Sequence, residues 1–291
     1  MFMVSCPDLV VACCRNGVIG SFPALNRRDS EGYAAWLSEI SARLEGVPVP
    51  YAVNLSLRRR SPRLEADLTV TVAARVPIVL TSLGVSREVV GRIHDYGGTV
   101  LHDVTTTAHA EKAAEAGVDG LILVCAGAGG HGGGLNPFAF LAEVRRWFSG
   151  TIALAGCIGT GRDIAAARVM GADLVSIGTR FIATREAAAP EAYKRMILDA
   201  RAGDVAYTPA LTGVPASFLR ASLAEWGVDP DAVDNPTIDI ATRTARHLGR
   251  EGKVWRDIWS AGQGAGAIHD IPGAGELCHR LAGEYRDVIA A

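Results

Sequence analysis

The sequence has few features that would mark a secreted, metal-binding, nucleic-acid-binding or membrane protein. Its six cysteines form no Cys-x-x-Cys pair and no secreted framework, which predicts a reducing, cytoplasmic location. Apart from the adjacent His102 and Asp103, no His, Asp or Glu cluster has metal-ligand spacing. The net charge of −2 gives no excess of positive charge that would favour binding of nucleic acid. No apolar run approaches the roughly 20 residues of a membrane span, and no signal peptide is recognisable. We therefore expect the protein to bind neither nucleic acid nor a membrane.

Three common enzyme motifs are also missing. No Gly-x-Gly-x-x-Gly opens a helix with an acidic residue at the right distance, which argues against a Rossmann dinucleotide site. There is no Walker-type Gly-x-x-x-x-Gly-Lys for a nucleoside triphosphate. A Gly-x-Ser-x-Gly elbow, which would present a serine nucleophile, is absent as well.

What the sequence does contain is an alternation of strand-length apolar runs and helical stretches. This alternation is typical of βαβ units in a parallel sheet, and 291 residues with 49% apolar content suit a single (β/α)8 TIM barrel. Only seven strands are predicted where a closed barrel has eight, so we expect the first strand to be missing or truncated upstream of Met1. The predicted strands are 18–21, 51–55, 77–81, 99–102, 120–124, 152–155 and 174–177.

The alternation of strand-length apolar runs and helical stretches ends at about residue 190. Residues 190–255 contain no predicted strand but helical patterns at 193–200, 216–226 and 240–248. We therefore predict a helical insertion that covers the barrel mouth as a lid. Residues 1–189 and 256–291 would then form the barrel domain.

The most informative segment is the glycine-rich stretch 127–134. Six glycines surround a single histidine, His131, directly after the buried-strand run 121–124. Glycines allow positive φ angles and a close approach of the backbone to a ligand. The segment thus presents one imidazole without bulky neighbours. A flexible loop with an incidental histidine is the alternative interpretation.

Two further glycine turns follow the last two predicted strands, at 155–161 and 176–181. In a (β/α)8 barrel the loops after the last two strands frequently bind phosphate. Exposed backbone N–H groups and a helix N-terminus favour an anion there, and Thr179 adds a hydroxyl. Ordinary βα turns with glycine for tight geometry are the alternative.

These three segments resemble the nitronate monooxygenase family, formerly called 2-nitropropane dioxygenases, which are FMN-dependent (β/α)8 enzymes. The likeness extends from residue 1 to about 190 and to the turn at 260–263, and it is shared in part with flavin-type enoyl-acyl-carrier-protein reductases. The matching residues are Ala128-Gly129-Gly130-His131-x-Gly, Gly156-Cys157-Ile158-x-x-Gly161 and Gly178-Thr179-x-Phe181.

The resemblance implies particular roles for these residues. His131 matches the catalytic histidine of the family. Ser82 and His102, at strand ends, are predicted from their positions to point to the barrel mouth. The residues that would bind FMN are Asn54 and Gln263 near the isoalloxazine, Gly129 and Gly130 in the histidine loop, and Gly156, Cys157, Ile158, Gly178 and Thr179 at the phosphate.

The implied activity is oxidation of alkyl nitronates by O2 to a carbonyl compound and nitrite. His131 would act as the base on a nitroalkane or as a cation opposite the nitronate. The alternatives are an NAD(P)H-dependent FMN enoyl-thioester reductase and a degenerate barrel that serves as a binding module. An inosine-monophosphate-dehydrogenase-like barrel is a further alternative, but it requires a nucleophilic cysteine loop, whereas Cys157 lies inside the phosphate turn.

The chain departs from the family pattern at three places. Gly127 stands where relatives typically carry Glu, and Gly132 stands where an Arg often follows the histidine. Only Met1 could represent the Ala-Pro-Met end of the family's first strand. The sequence leaves open the physiological substrate, the use of NAD(P)H and the oligomeric state, including a homo-oligomer.

Overall fold

The computed structural model describes residues 1–58, 62–232 and 235–291, and its centre is a parallel sheet of seven strands in chain order. The sheet curls like an incomplete barrel wall, and within the described chain the first and last strands each pair with one neighbour. The predicted parallel α/β architecture is thereby confirmed, whereas the missing strand stays a prediction. The strands are β1 Ser21–Pro23, β2 Ala52–Ser56, β3 Ile78–Ser82, β4 Thr99–Val104, β5 Gly120–Val124, β6 Thr151–Ala155 and β7 Leu174–Ser176.

The first predicted strand was misplaced by three residues. It was expected at 18–21, but β1 begins at Ser21. Gly20 lies directly against the backbone of Val10, which leaves no room there for a side chain. The chain therefore passes close to the first helix at Gly20, where the Gly20 carbonyl already accepts the Ala52 N–H of β2 at 2.9 Å, and the strand itself begins at Ser21.

Helices cover the outer face of the sheet. Because side chains alternate between faces along a strand, one face packs against the helices and the other lines the barrel interior. Val53, Val79 and Leu121 are fully buried on the helix side, and Leu101, Ile122 and Ala153 form the inner layer. The helices are α1 Pro7–Arg15, α2 Ser30–Arg43, α3 Leu64–Ala73, α4 Arg87–His94, α5 Thr107–Glu115, α6 Pro137–Arg145, α7 Gly161–Val169, α8 Thr179–Ile182, α9 Glu191–Asp199, α10 Arg220–Glu225 and α11 Ala274–Ile289.

Residues 190–255 are not the purely helical segment that the sequence predicted. Helix α9 matches the pattern at 193–200, but the pattern at 216–226 begins as a strand, and the one at 240–248 contains another. The segment holds two small antiparallel sheets. Their strands are β8 Val205–Thr208, β9 Ala216–Leu219, β10 Ile238–Asp239, β11 Thr244–His247 and β12 Arg250–Lys253.

The physical reason for this error is a two-residue hairpin. Leu248 and Gly249 join β11 to β12 with φ angles of 48° and 74°. A turn with two positive φ angles matches the twist of paired strands. Leucine rarely adopts such an angle, so Leu248-Gly249 does not signal a hairpin in the sequence. Across the described ranges, no helix is long and apolar enough to cross a membrane.

Candidate active site

A cavity of about 940 Å³ opens at the carboxyl ends of the parallel strands. The inner faces of β5 and β6 form its floor, and Tyr207, Arg243 and Trp255 from the 190–255 region form part of its wall. Protein sites for one small ligand span roughly 300–1,000 Å³, so this cavity can hold a cofactor with a substrate beside it. The predicted site residues on its lining are Asn54, Gly129, Gly130, His131, Gly156, Cys157, Ile158, Gly178 and Thr179.

The loop that carries His131 is held in place by hydrogen bonds on both sides. The Gly130 N–H donates to Ser260 Oγ at 2.8 Å, and its carbonyl accepts from the Ser217 N–H at 2.9 Å. The Tyr207 hydroxyl donates to the Gly132 carbonyl at 2.9 Å. Strands β8 and β9 and the turn at Ser260 therefore fix where the imidazole lies.

The imidazole of His131 is half-buried against aromatic residues. Its ring centre is 5.1 Å from that of Trp255, which packs on Phe218 in turn. Nε2 lies 3.4 Å from Thr212 Oγ1, and the Thr212 hydroxyl donates to the Val214 carbonyl at 2.7 Å. Because that hydroxyl proton is already used, Nε2 is the donor to Oγ1. This arrangement favours the tautomer with the ring proton on Nε2 and the lone pair on Nδ1.

Two effects lower the pKa of His131. Burial disfavours the charged imidazolium, and the positive charges of Arg243 and Arg58 disfavour it further. The pKa falls below the ordinary value of 6.5, so the ring is neutral at neutral pH. A neutral imidazole with a free Nδ1 lone pair can accept a proton.

The glycine turns after β6 and β7 present unpaired donors to the cavity. Gly156 and Cys157 have φ angles of 121° and 58°, which turn the chain sharply after β6. Within the described chain, the N–H groups of Cys157 and Ile158 have no hydrogen-bond acceptor. Thr179 Oγ1 accepts the Gly262 N–H at 2.9 Å and keeps its own proton to donate. These groups can cradle an anion.

The helix N-terminus after the β6 turn does not take part, contrary to the sequence-based prediction. The Gly161 N–H donates to Glu284 Oε2 at 2.6 Å. The N–H groups of Gly159 and Thr160 donate to Asp163 Oδ2 at 3.0 and 2.9 Å. Because two carboxylates already accept the N–H groups at this end of α7, an anion can bind only to the N–H groups of the preceding turn.

Cys157 is a thiol at neutral pH. Partial desolvation and the negative charge of Asp163 raise its pKa above the ordinary value, against a smaller opposing effect of the Gly264 N–H. Catalytic cysteines need the thiolate, which requires a lowered pKa. The inosine-monophosphate-dehydrogenase-like alternative is therefore not supported at this residue.

The remaining predicted positions, Asn54, Ser82, His102 and Gln263, differ in whether they face the cavity. Asn54 Nδ2 donates to Ser82 Oγ at 3.2 Å, and both residues line the cavity. His102 touches the edge of the cavity, but its Nδ1 is 2.7 Å from Thr81 Oγ1 and the residue is only 5% exposed. Burial lowers the pKa of His102 to about 4, as for a satisfied core histidine. Gln263 is exposed and does not line the cavity; its N–H donates to the Gly127 carbonyl.

Among the charged residues on the cavity wall that the sequence analysis did not assign to the site are Arg58, Asp103 and Arg243. Asp103 lies on the inner face of β4, because it alternates with the outward His102. The prediction ended this strand at residue 102 and so gave Asp103 no orientation. Arg58 follows β2 closely and could have been found from that position, whereas Arg243 belongs to the unpredicted hairpin region.

Comparison with known proteins identifies the family of this chain. The family model for nitronate monooxygenase matches residues 3–284. The chain belongs to the nitronate monooxygenase family. The resemblance read from the three glycine segments is thereby confirmed, and the protein is an enzyme of this family.

Several relatives of this family were found. The nitronate monooxygenase of Paraburkholderia phytofirmans is 30% identical over 244 residues, which cover 77% of this chain and 65% of the relative. The matches to the first three curated relatives cover only 62%, 65% and 55% of their lengths. Among solved structures, nitroalkane oxidase from Streptomyces ansochromogenes has a TM-score of 0.83 at 26% identity, over 99% of this chain and 94% of that one. FabK from Thermotoga maritima has a TM-score of 0.84 at 24% identity, over 100% and 92%, and shares the fold.

The structure leaves no room for the glutamate that the resemblance leads us to expect at position 127. Gly127 has a φ angle of 80°, which L residues rarely adopt. A Cβ atom there would collide with Cys157 Sγ and lie 2.8 Å from Gln263 Oε1. Cys157 and Gln263 therefore occupy the space that a side chain at position 127 would need.

Replacing Asp103 with asparagine should stabilise the protein, and the gain should grow with pH. Burial raises the pKa of Asp103 to about 7 in the folded state, against about 3.9 when unfolded. The unfolded chain thus loses this proton at lower pH, so ionisation opposes folding increasingly from about pH 4 to 7 and fully above that range. Urea unfolding at about pH 5 and 8 measures this difference. Exposed Asp231→Asn is the control, and an Asp103→Asn gain independent of pH would contradict the expectation.

Proposed function

We propose that this chain oxidises small nitroalkanes and their nitronates with O2 to a carbonyl compound and nitrite, using FMN as its cofactor. Membership of the nitronate monooxygenase family supports the reaction class. The observation that carries the proposal is the position of His131, a neutral imidazole fixed at the wall of the cavity. The glycine turns after β6 and β7 line the same cavity and present N–H groups that can bind an anion.

The residues of the cavity fit FMN. The phosphate would bind the N–H groups of Cys157 and Ile158 and the hydroxyl of Thr179, since these donors have no other acceptor among the described residues. Gly178 leaves open space beside them, because the nearest atom to a Cβ there is 3.7 Å away. The Asn54–Ser82 pair would meet the isoalloxazine from the strand ends. FMN supplies the capacity to take electrons from the substrate and pass them to O2.

His131 would act as the base that removes the α-proton of a nitroalkane. Its Nδ1 carries the lone pair, while Thr212 holds Nε2 and Trp255 packs against the ring. The lowered pKa favours this role over that of an imidazolium facing the nitronate. Trp255 and Phe218 also reduce the access of water to the imidazole.

The pH dependence of kcat/KM for a neutral nitroalkane should therefore have an acidic limb below 6.5. The base is active when unprotonated, so activity is constant above the pKa of His131 and falls below it. Arg243→Gln removes a charge that lowers this pKa, and the limb should move to higher pH. Profiles of both proteins between about pH 5 and 8 measure the shift. Superimposable profiles would contradict the assigned coupling.

The test of the proposed function is product formation by the FMN-loaded protein. We expect nitrite and a carbonyl compound from nitroethane or its nitronate in the presence of O2, without NAD(P)H. The main alternative, an enoyl-thioester reductase, would instead consume NAD(P)H with an enoyl thioester and release no nitrite. A degenerate binding module would neither retain FMN nor give either product.

A further inference from the structure

Two arginines on the cavity wall have no counter-ion in the part of the chain that the structure describes. Arg58 follows β2, and Arg243 immediately precedes β11; both line the cavity together with His131. Within residues 1–58, 62–232 and 235–291, neither guanidinium forms an ion pair or a hydrogen bond. Their charges are close enough that Arg58 lowers the pKa of Arg243, and both lower that of His131.

The two like charges repel each other, and water screens this repulsion only in part, because Arg58 is exposed but Arg243 is half-buried. Arg180, another cavity arginine, shows the contrast: its guanidinium donates to Asp270 at 2.7 Å. Asp103 is the one acidic residue among the described cavity-lining residues, and burial raises its pKa to about 7. Among the described residues, two positive charges are thus left for a ligand to neutralise.

The arginine pair is separate from the glycine turns assigned to the FMN phosphate. Those turns follow β6 and β7, whereas Arg58 follows β2, four strands away in the sheet order. Because the strand ends meet around one cavity, the two anion-binding regions lie on different parts of its wall. His131 follows β5, between them in the strand order, and senses the charge of both arginines.

We propose that Arg58 and Arg243 bind a phosphate monoester group at the far end of the substrate whose reacting carbon lies at His131. A phosphate monoester carries close to two negative charges at neutral pH, which matches the two guanidiniums better than one carboxylate does. Guanidinium also binds phosphate oxygens through paired N–H groups. The inference rests on the proposed function for the reacting end of the substrate, but the phosphate site can be tested by itself.

The first experiment measures binding to the FMN-loaded protein by calorimetry, with propyl phosphate, butanoate and propanol as probes. We expect propyl phosphate to bind more tightly than butanoate, and propanol not to bind measurably. Arg58→Gln and Arg243→Gln should each weaken propyl phosphate binding by about 10- to 100-fold, because each removes charge-assisted hydrogen bonds. Arg243→Lys should recover part of the loss, since lysine keeps the charge but not the paired donors.

Lys112 is the matched control, because it is a cation on the same cavity wall that is not part of the pair. Lys112→Gln should change propyl phosphate binding by less than about 5-fold. Equal affinity for propyl phosphate and butanoate, wild-type affinity in both arginine variants, or an equal loss in Lys112→Gln would overturn the proposal.

The second experiment separates this inference from the proposed function. It compares kcat/KM for the nitronates of 1-nitropropane and 3-nitropropyl phosphate. We expect a preference of about 100-fold for the phosphate, which Arg58→Gln and Arg243→Gln reduce and Lys112→Gln retains. Arginine-dependent binding of propyl phosphate without turnover of either nitronate would support the phosphate site and refute the nitronate reaction. Turnover without preference would refute the phosphate site alone.

Discussion

Replacing His131 with asparagine should lower kcat for a neutral nitroalkane by about 10²- to 10⁴-fold, which is the usual contribution of a positioned general base. Asparagine can still hydrogen-bond to Thr212 but cannot accept the α-proton. The hydrogen bonds that hold the loop involve the backbone of Gly130 and Gly132, so the fold and the bound FMN should remain. The measurement is the initial rate of nitrite release together with the flavin content of the purified variant.

A preformed nitronate makes this experiment specific for the base. The nitronate has already lost its proton, so His131→Asn should retain far more activity with it than with the nitroalkane. His109 is the matched control, since it lines the same cavity but is exposed and bonded to Thr105 Oγ1 at 3.1 Å. We expect His109→Asn to behave like the wild type. An equal loss on nitroalkane and nitronate would show that His131 does not act as a base.

Replacing Gly178 with valine should weaken FMN binding by about 100-fold or more, because it blocks at least two charge-assisted hydrogen bonds to the phosphate. Gly178 has a φ angle of −106°, which other residues adopt freely. The nearest atom to a Cβ here belongs to Met1 at 3.7 Å, so the new side chain would extend into the open space next to Thr179. The free energy of unfolding without FMN should change by less than about 0.5 kcal/mol.

The control for Gly178→Val is Gly91→Val in helix α4. A Cβ at position 91 would meet no atom within 4 Å outside its own helix, and this residue does not line the cavity. Fluorescence titration with FMN and urea unfolding of both variants separate loss of binding from loss of stability. Wild-type affinity in Gly178→Val would mean that the phosphate does not bind at these turns.

The central sheet could be predicted because its physical signal is local. Strands buried on both faces appear as continuous apolar runs, and β5 and β6 are found where 120–124 and 152–155 predicted them. The small sheets between residues 205 and 253 could not be predicted in this way. Their register depends on the Leu248-Gly249 turn and on packing around Phe218 and Trp226, which no local pattern shows.

In the candidate site, too, only the residues with a local sequence signal could be predicted. His131 and the glycine turns could be found because they are backbone features that are continuous in the sequence. Arg243 could not, since only the folded hairpin region brings it near Arg58. Gln263 was assigned to the cofactor by resemblance alone; it does not line the cavity, and its backbone N–H donates to the carbonyl of Gly127, which does.

The most direct test of the account is an anaerobic absorbance titration of the purified protein after addition of FMN. We predict a bound flavin spectrum that a nitronate bleaches and that NADH and NADPH leave unchanged, with the colour restored when O2 is admitted. Bleaching by NADH or NADPH and not by a nitronate would contradict the account in favour of a reductase. Failure to bind FMN at all would contradict the assignment of the two glycine turns.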